Sequence, residues 1–268
     1  MKKSQVILPI LLVSSLGLFM SNCHDSTGHH DYVDNTDYVA EDDFHYASDV
    51  TSQVRLRIEG VSGSITITGR DNFDSVIVEG TRSVGSESYD DAEEYLQYLQ
   101  VEFEVLSGEV RLQTIQPDNN YGRSYEVEYV ITLPYRFEVI ASSVNGSVSV
   151  DSIANDLTIS NINGQAYLDN IIGSVAASLV NGSIEASITL PTDGIIALTN
   201  VNGSIDLSIP ENTSADFEAS VVNGNIYISN LNLQDEHITN HSVEGTLGGG
   251  DGDIALSTAN GNITARGF

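Results

Sequence analysis

The chain has 268 residues, with 38 Asp and Glu against 10 Lys and Arg, for a formal charge of −28. So acidic a surface lacks the cationic contacts on which binding to nucleic-acid phosphate rests, and it repels anionic lipid headgroups, so neither is expected as a direct partner. It suits a cation-rich exterior in which counterions screen self-repulsion, and a single cysteine, Cys23, excludes an intramolecular disulfide.

Residues 1–22 read as a secretory signal: Lys2 and Lys3 precede the apolar run from Val6 to Met20, which is short for a membrane-spanning helix. The run ends at Met20-Ser21-Asn22-Cys23, which resembles a bacterial lipobox. The resemblance implies that Cys23 is lipidated and becomes the first mature residue, anchoring the protein to the cell envelope on the extracytoplasmic side, at the outer membrane. Asn22 departs from the Gly, Ala or Ser usual before the cysteine. Cleavage there removes both lysines and no acid, giving a mature charge of 8 − 38 = −30. Residues 23–50 are rich in acids and poor in aliphatics, a composition expected to stay disordered as a tether.

The folded body is expected over residues 51–268. Leu56, Ile58 and Val61, then Ser62-Gly63, then Ile65 and Ile67 form a degenerate first copy of a repeat that becomes regular later. Strands are expected at 75–79, 101–106, 110–115 and 125–133. The segment 89–100 (YDDAEEYLQYLQ) breaks the alternation and reads as a helix, with acids in its first turn as the macrodipole favours.

The second half carries six Asn-Gly pairs: Asn145-Gly146, Asn163-Gly164, Asn181-Gly182, Asn202-Gly203, Asn223-Gly224 and Asn260-Gly261. Counted from the Asn, positions −6, −4, +3 and +5 are apolar in every copy. That period of two makes each copy a strand, a bend and a second strand. Position −3 is always a hydroxyl (Ser142, Ser160, Ser178, Thr199, Ser220, Ser257), expected to bond neighbouring backbone. As two-residue hairpin turns the pairs would give an antiparallel meander. A hairpin, however, does not explain a hydroxyl without a mirror partner, and a repeat of about 20 residues with one constant inward set reads better as the coils of a β-solenoid. The 37-residue gap before Asn260 is about two periods, expected to hold one coil with an unmarked bend near Val243-Glu244-Gly245.

Together, Gly60-Val61-Ser62-Gly63-Ser64-Ile65, the helical insertion, the VITLP strand, the V-N-G-S-[IV] copies and the closing GTLGGGDGDIALSTANGNI resemble the bacterial putative-adhesin domains of unknown function, over residues 51–268. The resemblance implies an all-β, parallel β-helix, right-handed, secreted or envelope-anchored, and it brings no catalytic residues.

No residue set stands out as catalytic, no cofactor is expected, and no metal site is assigned. Gly248 to Asp253 lacks the register of a calcium-binding nonapeptide repeat and reads as a glycine-rich bend. His237 and His241 lack a third ligand nearby in sequence. A polysaccharide lyase would need cations, and the repeats offer Arg266 alone. The expected function is a non-catalytic surface, scaffold or adhesin-like module for a carbohydrate or protein surface, the alternative being an envelope-stress regulator that binds a signalling partner. The expected binding face is the outward row after each bend, where Tyr167 and Tyr227 are the large side chains among small polar ones. Sequence leaves the oligomeric state open.

Overall fold

The structure is a computed structural model that describes residues 36–268. The signal segment and Cys23 lie outside the described residues. The first elements are β1 (Tyr38–Asp49), β2 (Arg55–Glu59), β3 (Ile65–Arg70), β4 (Ser75–Ser86), the helix α1 (Tyr89–Leu96), β5 (Gln100–Val105), β6 (Glu109–Ile115) and β7 (Ser124–Pro134). The marked repeats supply β8 (Glu138–Asn145) and β9 (Val148–Ile153), β10 (Leu157–Asn163) and β11 (Ala166–Ile172), β12 (Val175–Asn181) and β13 (Ile184–Thr189), and β14 (Ile195–Asn202) and β15 (Ile205–Ile209). There follow β16 (Ala215–Asn223), β17 (Ile226–Ser229), β18 (Leu233–Ile238), β19 (Ser242–Leu247), β20 (Gly252–Asn260) and β21 (Ile263–Gly267).

Each Asn-Gly pair joins strands in two different sheets, and successive copies pair in parallel: Ser160 stands beside Ser142 and Ser178, and Tyr167 beside Ser149 and Glu185. These are stacked coils of a β-solenoid, and the hairpin reading fails. The inward set is the one the period of two selects. Val139, Leu157, Val175, Ile196, Phe217 and Ile254 line the core from one sheet, and Val148, Ala166, Ile184, Ile205 and Ile263 from the other. The −3 hydroxyls face outward, and of the six only Ser142 donates to backbone, to the Ile58 carbonyl at 3.3 Å.

Stacking does not follow chain order. The ten-stranded sheet, sheet A, runs β1-β4-β7-β3-β9-β11-β13-β15-β21-β17; the eleven-stranded sheet, sheet B, runs β18-β19-β16-β20-β14-β12-β10-β8-β2-β6-β5. The β16/β17 coil therefore leaves one rung open above β14/β15, and the last coil, β20/β21, fills it. At the other end the first coil, β2/β3, is likewise interior, covered by the later β6/β7. The expected unmarked coil does not exist: Val243-Glu244-Gly245 lies in β19, which runs antiparallel along β16 and covers its edge. The glycine-rich bend is the reversal between β19 and β20, with Gly248 and Gly250 at φ +57° and +72° and the Gly249 and Asp251 amides donating to Ser214 Oγ.

The acidic tether is corrected over residues 38–49, which form β1, antiparallel to β4. Composition concealed a period of two. Ala40, Phe44 and Tyr46 turn inward, Phe44 edge-on to Tyr129 and Tyr46 stacked on Phe103 at 5.3 Å, while most of the acids face water. A charged outer face suits an edge strand, because it discourages pairing with other chains. Beneath it, burial pushes the Tyr129 phenol up to about 12, and its hydroxyl is satisfied by Thr114 at 2.7 Å.

Candidate functional site

The bends form a continuous corner. Down it the asparagine side chains bond in series: Asn163 Nδ2 donates to Asn145 Oδ1, Asn181 to Asn163, Asn202 to Asn181, Asn260 to Asn202 and Asn223 to Asn260, all at 2.8–2.9 Å. A chain of amides pointing one way polarises its members cooperatively. It also leaves an NH2 group at the Asn145 end and an oxygen at the Asn223 end. Behind each Asn, the glycine of one coil meets the glycine carbonyl of the next so closely that no Cβ fits. At Gly182 and Gly203 a Cβ would stand 1.7 and 1.6 Å from the neighbouring oxygen, with φ at +142° and +141°.

Position −2, unassigned in the sequence reading, faces inward at this corner. Asn161 and Asn200 are buried and donate through Nδ2 to the Gly146 and Gly182 carbonyls at 2.8 and 2.7 Å; Thr258 donates to the Gly203 carbonyl at 2.9 Å. Leu179 and Val221 fill the same place in two other coils and Ser143, buried without a hydrogen bond, in a third, so the residue type varies from coil to coil and none could have signalled the role.

The outward row of sheet A after the bends is brought together as the spacing implied, in a different order. Registers align Thr66, Ser149, Tyr167, Glu185, Asp206, Thr264 and Tyr227 across successive strands. Tyr167 and Tyr227 are 38% and 54% exposed. Four strand spacings put them about 19 Å apart. Asp151 and Asp169 are paired neighbours on the same face, which keeps it acidic. Among the described residues, no group of three or more His, Cys, Asp or Glu could hold a metal ion. His237 pairs with Glu244 across β18 and β19, and His241 lies beyond the end of β18.

The arginines scattered in sequence are mostly spent in ion pairs. Arg55 meets Glu138 at 2.7 Å, Arg57 and Arg111 share Glu109, and Arg82 pairs with Asp42. Arg123 forks onto Asp91 with both contacts at 2.7 Å and lies over the Tyr95 ring, 3.4 Å from its centroid. The Arg123 hydrogen bond holds the Asp91 carboxyl below its ordinary range against the opposing effect of burial, and Ser86 adds a further bond.

Against this geometry, the family described as Toastrack DUF4097 matches residues 51–266. No curated protein matches the sequence. Among solved structures, a protein described as a putative cell adhesion protein from Clostridium sporogenes superposes with a TM-score of 0.51 at 11% identity, covering 85% of this chain and all of the other. A putative adhesin from Bacteroides fragilis, at 14% identity, covers 85% of this chain and 97% of its own with a TM-score of 0.36. The first likeness speaks to the fold.

Proposed function

This chain belongs to the Toastrack DUF4097 family, and we propose that it is a non-catalytic, adhesin-like binding module on the outside of the bacterial cell envelope, anchored at the outer membrane through lipid on Cys23. The observation that carries this reading is the outward face of sheet A. Its register repeats small polar groups at each rung, and Tyr167 and Tyr227 stand out of it as the large side chains after the bends. A rigid sheet loses little entropy on contact, and exposed tyrosines supply apolar area with a polar tip, a combination favoured at interfaces. The solved Clostridium sporogenes protein of related fold, described as a putative cell adhesion protein, lends the reading general support.

The charge dictates its conditions. A mature charge of −30 opposes approach to an anionic surface, so attachment requires divalent cations or raised salt. In a cell-attachment assay on such a surface, wild-type protein is expected to attach more with added calcium or salt than without. Tyr167→Ala with Tyr227→Ala weakens attachment by about 10-fold, and Cys23→Ala abolishes labelling of the protein by an alkyne fatty acid. Attachment strongest at low ionic strength, or indifferent to both tyrosines, counts against this face as the binding site; equal labelling of the Cys23→Ala protein removes the anchor.

A further inference from the structure

The coil strands of sheet A have 4–7 residues, whereas β1, β4 and β7 have 11–12 and run past the asparagine corner as an overhang. Between the overhang and the corner lies a groove of about 870 Å3, within the range of about 300–1,000 Å3 usual for small-ligand sites. We propose that this groove binds a neutral saccharide. The site is separate from the tyrosine row of sheet A, so either can fail while the other stands.

Three polar groups on residues that line it have no hydrogen-bond partner within the protein. Tyr125 is only 6% exposed, and its hydroxyl has no hydrogen bond. Gln116 Oε1 is likewise buried and unbonded. A buried hydroxyl or amide without a partner is costly, so two of them on residues lining one groove point to groups that a ligand satisfies once those side chains turn toward it. The third is the Asn145 NH2. Each asparagine of the ladder donates to the one before it, but the rung before Asn145 carries Ser62 where the pattern has Asn. The ladder therefore ends in the groove on a donor with no asparagine to receive it.

The class of ligand follows from what the wall offers and withholds. Its donors and acceptors are hydroxyl and amide side chains, which match the mixed hydroxyls of a sugar. Along the corner its backbone is already used: Gly63 N donates to the Asn145 carbonyl, Gly146 N to Asn163, Val127 N to Ser62 and Ile65 N to Ser147. That leaves little free main chain along the corner for an added peptide strand, which binds through such groups. The one cation in the wall, Arg123, is neutralised by Asp91, and Glu126 adds an exposed carboxylate. An acidic sugar would meet repulsion with nothing to offset it.

The test is calorimetric titration of the folded protein with maltohexaose, cellohexaose and chitohexaose, with oligogalacturonate and a Ser-Gly peptide as contrasts. At least one neutral probe is expected to bind with a millimolar or tighter Kd. Tyr125→Phe and Gln116→Leu each weaken it about 5- to 10-fold, and Tyr167→Ala with Tyr227→Ala leaves it unchanged. Ser62→Asn supplies the missing acceptor for Asn145, so it weakens binding while raising the melting temperature, a pairing that a merely damaged fold cannot produce. Absence of binding by all three probes, equal binding by Tyr125→Phe or Ser62→Asn, or preference for oligogalacturonate or the peptide overturns the proposal.

Discussion

Replacing Gly203 with alanine is expected to lower the free energy of unfolding by on the order of 3–5 kcal/mol, at the upper end of single-substitution effects. Two costs add. A residue with a Cβ at φ +141° carries intrinsic backbone strain of roughly 1–2 kcal/mol. The larger cost is the collision with the Gly182 carbonyl at 1.6 Å, because that oxygen belongs to the backbone of a coil fixed by its own ladder and cannot swing aside as a side chain would. Gly108 separates the two. Its φ is +85°, but an added Cβ meets nothing within 4 Å, so Gly108→Ala carries the strain alone and should cost about 1 kcal/mol. Urea unfolding of the two variants checks the difference; equal losses would mean that the glycine corner is not close-packed between coils.

Removing residues 252–268 is expected to dismantle more than the coil deleted. In a solenoid stacked in chain order, the last coil has one neighbour, and its loss removes one interface. Here β20/β21 has two, β14/β15 on one side and β16/β17 on the other. The truncation removes both interfaces at once and strands the β16 to β19 segment, whose parallel partner is gone. Hydrogen exchange should then show residues 215–247 unprotected while 139–189 stay protected. Full protection of 215–247 in the truncated chain would mean that this coil can slide into the vacated rung.

What was legible in the sequence is what repeats. Alternation at −6, −4, +3 and +5 located the inward side chains, Asn-Gly located one corner, and the change of period at residue 89 located α1, where Ser88 caps the first turn. The opposite corner was legible only in part, because no one dipeptide marks it: Leu133-Pro134, Leu190-Pro191 and Ile209-Pro210 signal a bend after β7, β13 and β15, whereas single residues in the left-handed region, such as Ser152, Asn170 and Asn230, turn the chain in other coils. Stacking order was illegible for a deeper reason. A periodic pattern says which residues face inward and is the same whichever coil lies next door, so only the 37-residue gap registered the return, and it was open to the simpler reading of a lost marker. Residues 38–49 were hidden by their acids, since composition counts charges without regard to the face they occupy. The groove has no repeat of its own, because an insertion builds one wall. Its one signal was the departure Ser62-Gly63 from Asn-Gly, which reads as decay of the motif until the ladder of amides gives that position a partner to miss.

The order of coils sets which side chains are neighbours on every outer face and places both the first and the last coil inside the stack. In a Cys23→Ala background, cysteine pairs on the half-exposed hydroxyl row of sheet B test it directly. Thr199 and Ser257 are register partners, as are Ser257 and Ser220. Adjacent strands lie about 4.8 Å apart, within reach of a disulfide, whereas two rungs, about 10 Å, are not. Oxidation should link Thr199→Cys to Ser257→Cys and leave Thr199→Cys with Ser220→Cys unlinked. A ready link in the second pair and none in the first would place β16 directly on β14, and the inserted C-terminal coil would be wrong.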